Sequence, residues 1–334
     1  MYTRRRYPFF MTLRWSKTGL LLPALWAAVV TALHELAGMD YLSLPWLPIS
    51  AVAVAVAFYL GFKNNASYDR MWEARKIWGA IVNASRSWAY GIRDLVGATG
   101  DCTEDQRVEA AGRMVLRHVA WMDALRFQLR KLEIWEHGDK MLDVRRQMGV
   151  PEYCEDKREM LSRTLDGSEV DEVLARINAA AHLISNQSRD LRTLRRDGLI
   201  DGFAHVHLQG LLDELMTQQG KAERIKKFPF PRQYATVNHF FAVIFTLLVP
   251  LGMIGEFAAL GEGMAWVTVP FSALIGWVFL TTDKIGDWSE NPFEGLHNDV
   301  PISSMARGIE RDIREMIGER ELPPARDAKD WVLF

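Results

Sequence analysis

Four stretches of this chain, residues 18–34, 41–62, 233–255 and 263–282, contain no Lys, Arg, Asp or Glu. Each is close to the roughly 20 residues that a helix needs to cross about 30 Å of hydrocarbon, whereas the long interval 63–232 is densely charged. The averages of 49% hydrophobic and 25% charged residues look unexceptional only because two populations are summed. In lipid an isolated strand would leave its backbone groups unpaired at several kcal/mol each, so every apolar stretch is expected as a helix. That expectation overrides the alternation of alanine and valine over 51–57, which in water would read as a strand. The alanines instead allow neighbouring helices to approach closely.

Arg4, Arg5 and Arg6 ahead of an apolar run invite comparison with a signal peptide. Arg14 and Lys17 push that run inward, no small-residue cleavage site is evident, and another apolar stretch follows at once, so the N-terminal segment is expected to be retained. Orientation follows from the cations. No Lys or Arg lies between Lys17 and Lys63 or between Arg232 and Lys284, and the two connections inside those intervals carry only Glu35 and Asp40, then Glu256 and Glu262. The remaining flanks hold Arg4, Arg5, Arg6, Arg14, Lys17, Lys63, Arg70, Arg75, Lys76, Lys221, Arg224, Lys226, Lys227 and Arg232. The positive-inside rule then predicts a multi-pass protein with both termini and the central region in the cytoplasm and two short outer hairpins.

The expected fold is an all-α integral membrane protein. Residues 1–62 hold an N-terminal segment and two transmembrane helices, 63–232 a cytosolic helical region, 233–282 two further transmembrane helices, and 283–334 a cytosolic C-terminal segment. No breaker separates the second apolar stretch from the amphipathic pattern of Met71, Ile77, Trp78, Ile81, Trp88 and Leu95, so one helix should leave the membrane and continue. Further helices are predicted at about 104–132, 169–186, 189–196, 202–219 and 302–318, with breaks at 97–100, 149–151 and 228–231.

Catalytic signatures are missing: there is no G-x-S-x-G, Walker A, H-E-x-x-H or G-x-G-x-x-G pattern, so no enzyme is expected. His205 and His207, at i and i+2, do not share a helix face and make a poor metal pair. The only cysteines, Cys102 and Cys154, supply neither a disulfide framework nor a zinc cluster. A net charge of −2 without a basic-aromatic module gives no case for nucleic acid, and no cofactor is expected. Val54, Phe58 and Phe62, at i, i+4 and i+8, stack along one face of the second membrane helix. Packing against other helices is the ordinary use of such a stripe. Several copies around an axis would make it a set of apolar rings that can close by dewetting. Asp69, Arg70, Glu73, Arg75 and Lys76 have spacings suited to local ion pairs, and Trp72 and Trp78 to anchoring at the interface or in a core.

The run Gly61, Phe62, Lys63, Asn64, Asn65, Ala66, Ser67, Tyr68, Asp69, Arg70, Met71, Trp72, Glu73, Ala74 and Arg75 is followed far downstream by Glu290, Asn291, Pro292 and Phe293, then Asn298 and Asp299. In wording and element order, over nearly the full chain, it resembles the bestrophin family, specifically the bacterial branch. The resemblance implies a homopentameric ion channel with one axial pore, located in the bacterial inner membrane. It places Val54, Phe58 and Phe62 in the pore neck and Val206 at a cytosolic aperture. Asn64, Asn65, Asp69, Arg70, Trp72, Glu73 and Arg75 form the family motif, and Asn291, Pro292, Phe293 and Asp299 a C-terminal turn. Animal members follow that turn with an acidic run that clasps calcium. Here Glu294, Gly295, Leu296, His297, Asn298 and Asp299 offer one carboxylate near each end, a thin supply for an ion that takes six to eight oxygens. No metal is expected, and the turn is expected to anchor the C-terminal region.

The resemblance implies passage of chloride and other monovalent anions, and the positive edges of phenylalanine rings suit a partly dehydrated anion. The acidic outer connections favour the alternative, a monovalent cation such as sodium. A membrane-anchored sensor or scaffold without conductance is a third reading. The partners expected are permeating ions, the lipid bilayer and further copies of the chain.

Overall fold

The computed structural model describes residues 1–98, 103–138 and 141–334. Cys102 and part of the break expected at 97–100 lie outside the described residues. Among the described residues the regular structure is helical, apart from isolated β-bridges. Four helices are long and apolar enough to cross a membrane: α1 (Phe9–Ala37), the first part of α2 (Trp46–Leu95), α10 (Arg232–Ala258) and α11 (Thr268–Ser289). At 50 residues α2 is about 75 Å long, well over the thickness of the hydrocarbon layer. The continuation expected past Phe62 is therefore present.

The chain divides into two compact units. Residues 4–70 and 229–290 form an apolar unit of α1, the start of α2, α10 and α11. Its interior is small: Ile49, Val56 and Leu60 of α2 meet Ala242, Phe245 and Val249 of α10, and Val30, Ile254 and Ala265 form a second cluster. Small residues bring these helices together. A Cβ added to Gly276 of α11 would come within 2.5 Å of Pro23 in α1 and 2.9 Å of Thr246 in α10, so only glycine permits the observed approach. Much of the remaining apolar surface, including Leu21, Leu25, Leu47, Phe240, Ile244 and Leu274, stays exposed.

Residues 1–3, 71–228 and 291–334 form the other unit, which contains the rest of α2, α3 (Glu104–Arg130), α4 (Leu142–Met148), α5 (Pro151–Cys154), α6 (Lys157–Leu161), α7 (Gly167–Leu174), α8 (Ala179–Arg196), α9 (Gly202–Lys227) and α12 (Ile302–Met316). Its core has the character of a water-soluble protein: Trp78, Trp88 and Trp121 are fully buried among Ile81, Ile92, Leu125, Leu212 and Ile313. The N-terminal ammonium donates to the Leu333 carbonyl and Thr3 N–H to that of Trp331 at 2.8 Å, so the two ends of the chain pair with each other.

Three boundaries differ from the sequence expectation: the helix expected at 202–219 continues to Lys227 as α9, and two others are displaced. The helix pair expected at 169–186 and 189–196 is instead α7 and α8, because Asn178 accepts from Ala181 N–H at 3.0 Å and caps a new helix, while Asn186 and Gln187 are buried inside it. The last apolar helix starts at Thr268, after a short 3₁₀ turn over Met264–Val267. The brief helices α4 to α6 were not anticipated; none is long enough to display a period.

Candidate functional site

On α2 the residues Val54, Phe58 and Phe62 are 68%, 68% and 56% exposed, while Ile49, Val56 and Leu60 on other faces of the same stretch are buried. The helix thus has one side packed within the chain and one left open. Ala51, Val54, Ala55, Phe58, Tyr59 and Phe62 line a groove of about 440 Å³. The Phe58 and Phe62 rings meet edge to face with centroids 5.2 Å apart, and Tyr59 packs against Phe241 of α10 at 5.8 Å. No charged side chain lines this groove.

One residue beyond Phe62 the chemistry reverses. Lys63 is fully buried, and its Nζ donates to Asp283 Oδ1 at 2.7 Å and Asp287 Oδ1 at 2.6 Å, both on α11. Asp283 Oδ2 lies 2.8 Å from His239 Nδ1 on α10. Asn64 Nδ2 donates to the Leu60 carbonyl at 2.9 Å and, across to α11, to that of Thr282 at 3.1 Å. Arg70 Nε donates to the Glu290 carbonyl at 2.9 Å, and the Glu290 carboxylate accepts from Arg232 at 2.6 Å. The motif residues therefore split: Asn64 and Arg70 bind the end of α11, whereas Asn65, Asp69, Trp72 and Arg75 are exposed and Glu73 pairs with Lys76 at 2.6 Å. Trp78, read as an anchor of interface or core, lies in the core.

Val206 is 68% exposed and shares an outward face of α9 with Phe203, while Leu208, Leu212 and Leu215 of that helix are buried. In the turn after α11, Asn291 Nδ2 donates to Glu294 Oε1 at 2.8 Å, the Val300 N–H to the Pro292 carbonyl at 3.1 Å, and Phe293 is buried. Glu294 accepts from Arg145 at 2.8 Å and lies 3.0 Å from His137 Nδ1. Burial pushes its carboxyl upward, but His137, Arg145 and Asn291 outweigh that and hold it below the usual range, so the carboxylate stays ionised. Asp299 closes the turn by accepting from the N–H groups of Gly295 and Leu296 at 2.7 and 3.0 Å; burial raises its carboxyl against the pull of Arg130. With both carboxylates committed to cations and backbone donors, this donor set does not suit calcium.

Sequence reading missed Lys63, Asp283, Asp287 and His239 as a unit. A signal was present: Lys63 is the first charge after the second apolar stretch and Asp283 the first after the fourth, and opposite charges closing two membrane segments are natural partners. Nothing comparable announces Arg145 and His137 as partners of Glu294.

Comparison with known proteins shows the family and the fold. The sequence pattern of a family described as bacterial/fungal bestrophin protein matches residues 17–315. A voltage-dependent anion channel-forming protein of Ralstonia nicotianae is 30% identical over 97% of this chain and 97% of its own length. Another, from Mesorhizobium japonicum, is 28% identical over 93% of this chain and 89% of its own. A solved structure of a bacterial bestrophin homologue from Klebsiella pneumoniae superposes with a TM-score of 0.75 at 26% identity, covering 91% of this chain and 99% of that one.

Proposed function

This chain belongs to the bacterial and fungal bestrophin family, and from that premise we propose that it is a passive anion channel of the bacterial inner membrane, assembled as a homopentamer around one axial pore. It is a bacterial membrane protein and not an enzyme; its relatives in Ralstonia and Mesorhizobium carry the name voltage-dependent anion channel-forming protein. The observation that carries the proposal is the open face of α2. Val54, Phe58 and Phe62 remain exposed along one side of a membrane helix whose packed seam, Ile49, Val56 and Leu60, lies on the opposite side, and an axis of symmetry beside the open side turns them into three stacked apolar rings.

Such a neck closes by dewetting and, when open, presents ring edges to the permeating anion. Val206, on the outward face of α9, serves as the cytosolic aperture, and residues 63–232 and 283–334 form the cytosolic part. The pairing of the first residues with Trp331 and Leu333 supports placing both termini on one side, and the basic flanks make that side the cytoplasm. The turn from Asn291 to Asp299, held by Arg130 and Arg145, anchors the C-terminal segment.

One observation favours a cation instead: Glu35, Asp40, Glu256 and Glu262 in the outer connections are all exposed. Reversal potentials of the purified protein in planar bilayers under asymmetric sodium chloride decide the matter. A reversal potential near that of chloride is expected. A value near that of sodium would reverse the ion, and no current from a verified oligomer would leave a scaffold.

A further inference from the structure

Lys63 stands directly after Phe62, and its ammonium is the point at which α2 is fastened to α11. Burying a charge costs several kcal/mol unless it is well paired, and two apolar side chains of similar volume would hold these helices at least as strongly. What an ion pair adds is direction. Nζ must face Asp283 Oδ1 at 2.7 Å and Asp287 Oδ1 at 2.6 Å, and the Asp283 main-chain oxygen lies within 3.4 Å as well. Asn64 adds its contact to the Thr282 carbonyl. The stem lies tightly on Gly286, where an added Cβ would come within 3.1 Å of Lys63 Cε and 3.2 Å of Asn64 Oδ1. From α10, His239 binds the other oxygen of Asp283, so the carboxylate is itself held in place.

Successive side chains on an α-helix point about 100° apart. Fixing Lys63 toward α11 therefore fixes where Phe62 points, and Phe58 one turn earlier with it. We propose that Lys63, gripped by Asp283 and Asp287, is a positioning residue that sets the rotation of α2 and keeps the Phe58 and Phe62 rings in the constriction. The inference rests on the channel reading of this face. With the grip released, α2 turns about its own axis and the rings swing out of the pore, which widens it.

The test is a coupling measurement on the full-length protein in planar bilayers, after size-exclusion chromatography has verified the oligomer. Lys63→Met and Asp287→Asn are each recorded alone and in a Val54→Ala, Phe58→Ala, Phe62→Ala background. Asp287, partly exposed like His239, can be replaced without removing the Lys63–Asp283 bond, so Asp287→Asn weakens the grip with less risk to assembly than Lys63→Met. In the native background Lys63→Met is expected to raise unitary conductance about threefold and Asp287→Asn, which keeps Lys63 on Asp283, by a smaller factor, and both are expected to leave it unchanged in the alanine background, where no rings remain to be aimed. An equal change in both backgrounds, or no change in either, overturns the positioning role while leaving the channel reading intact. A wild-type oligomer that passes no ions removes the channel reading itself.

Discussion

The two halves of α2 follow opposite rules. Up to Arg70 the helix shows Val54, Phe58 and Phe62 on its surface and buries the charge of Lys63; from Met71 onward Ile77, Trp78, Ile81, Trp88 and Ile92 are all buried. One continuous helix thus passes from a setting in which exposed apolar side chains are no liability to one in which they must be enclosed. The lesson is that an exposed phenylalanine in the first half and a buried tryptophan in the second are both at home, each against its own surroundings. Substitutions that remove similar amounts of side chain from the two halves should therefore have very different consequences.

The largest effect belongs to the enclosed region. Trp121 is fully buried, and its indole N–H donates to Gln219 Oε1 at 2.8 Å. Trp121→Ala is expected to cost about 3–5 kcal/mol by opening a cavity, read as a large drop in the thermal midpoint of the purified protein. A loss no greater than that of an exposed substitution would mean that this core is loosely packed. Next comes the charge buried in the same region. Arg145→Met takes the guanidinium from the fully buried Glu294, leaving it His137 and Asn291, and is expected to cost about 3 kcal/mol, part of it recovered by adding Glu294→Gln. Failure of the second change to recover anything would show that Arg145 matters for its packing rather than its charge.

These charges also mark where sequence reading stopped. The membrane helices were legible because a bilayer admits few alternatives to a long uncharged helix, and the run of α2 past Phe62 because nothing in 63–78 breaks it. The stripe of Val54, Phe58 and Phe62 was legible because i, i+4 spacing needs no tertiary information. Arg145 with Glu294 and Lys63 with Asp283 are separated by 149 and 220 residues, and a single chain gives no measure of which distant charges meet. The start of α8 was missed for a local reason. Asn178 caps it in the middle of the helix expected at 169–186, and α8 then runs unbroken through the gap expected at 187–188, with Asn186 paired inward with Glu169 at 3.0 Å.

A pH-dependent effect separates the regions again. His118 is wholly buried beside Trp88 and Trp121 with Nε2 2.9 Å from Ser85 Oγ, and burial drives its pKa down to about 3. The folded protein therefore resists protonation there, whereas the unfolded chain takes up the proton near the ordinary value of about 6.5. Between these two values the unfolded state binds more protons. The contribution of His118 is fully present above about pH 6.5 and falls as pH drops toward 3, by at most about 1.4 kcal/mol per pH unit. Denaturation measured across that window should be less steep in pH for His118→Asn than for the native chain, and identical slopes would place the proton elsewhere.

The smallest stability effect belongs to the open half of α2, and there it comes with the clearest change in function. Val54, Phe58 and Phe62 make few contacts within their own subunit, so replacing all three with alanine is expected to shift the thermal midpoint little, by the equivalent of about 1 kcal/mol or less. The same change shrinks the apolar rings at the proposed neck and lets water stand in the constriction, which lowers the dewetting barrier and should raise unitary conductance several-fold. Conductance recording and thermal melting of one triple variant thus test both sides of the contrast. If conductance is unchanged while the oligomer loses stability, these side chains are packing between subunits, and the open face of α2 is an interface rather than a pore wall.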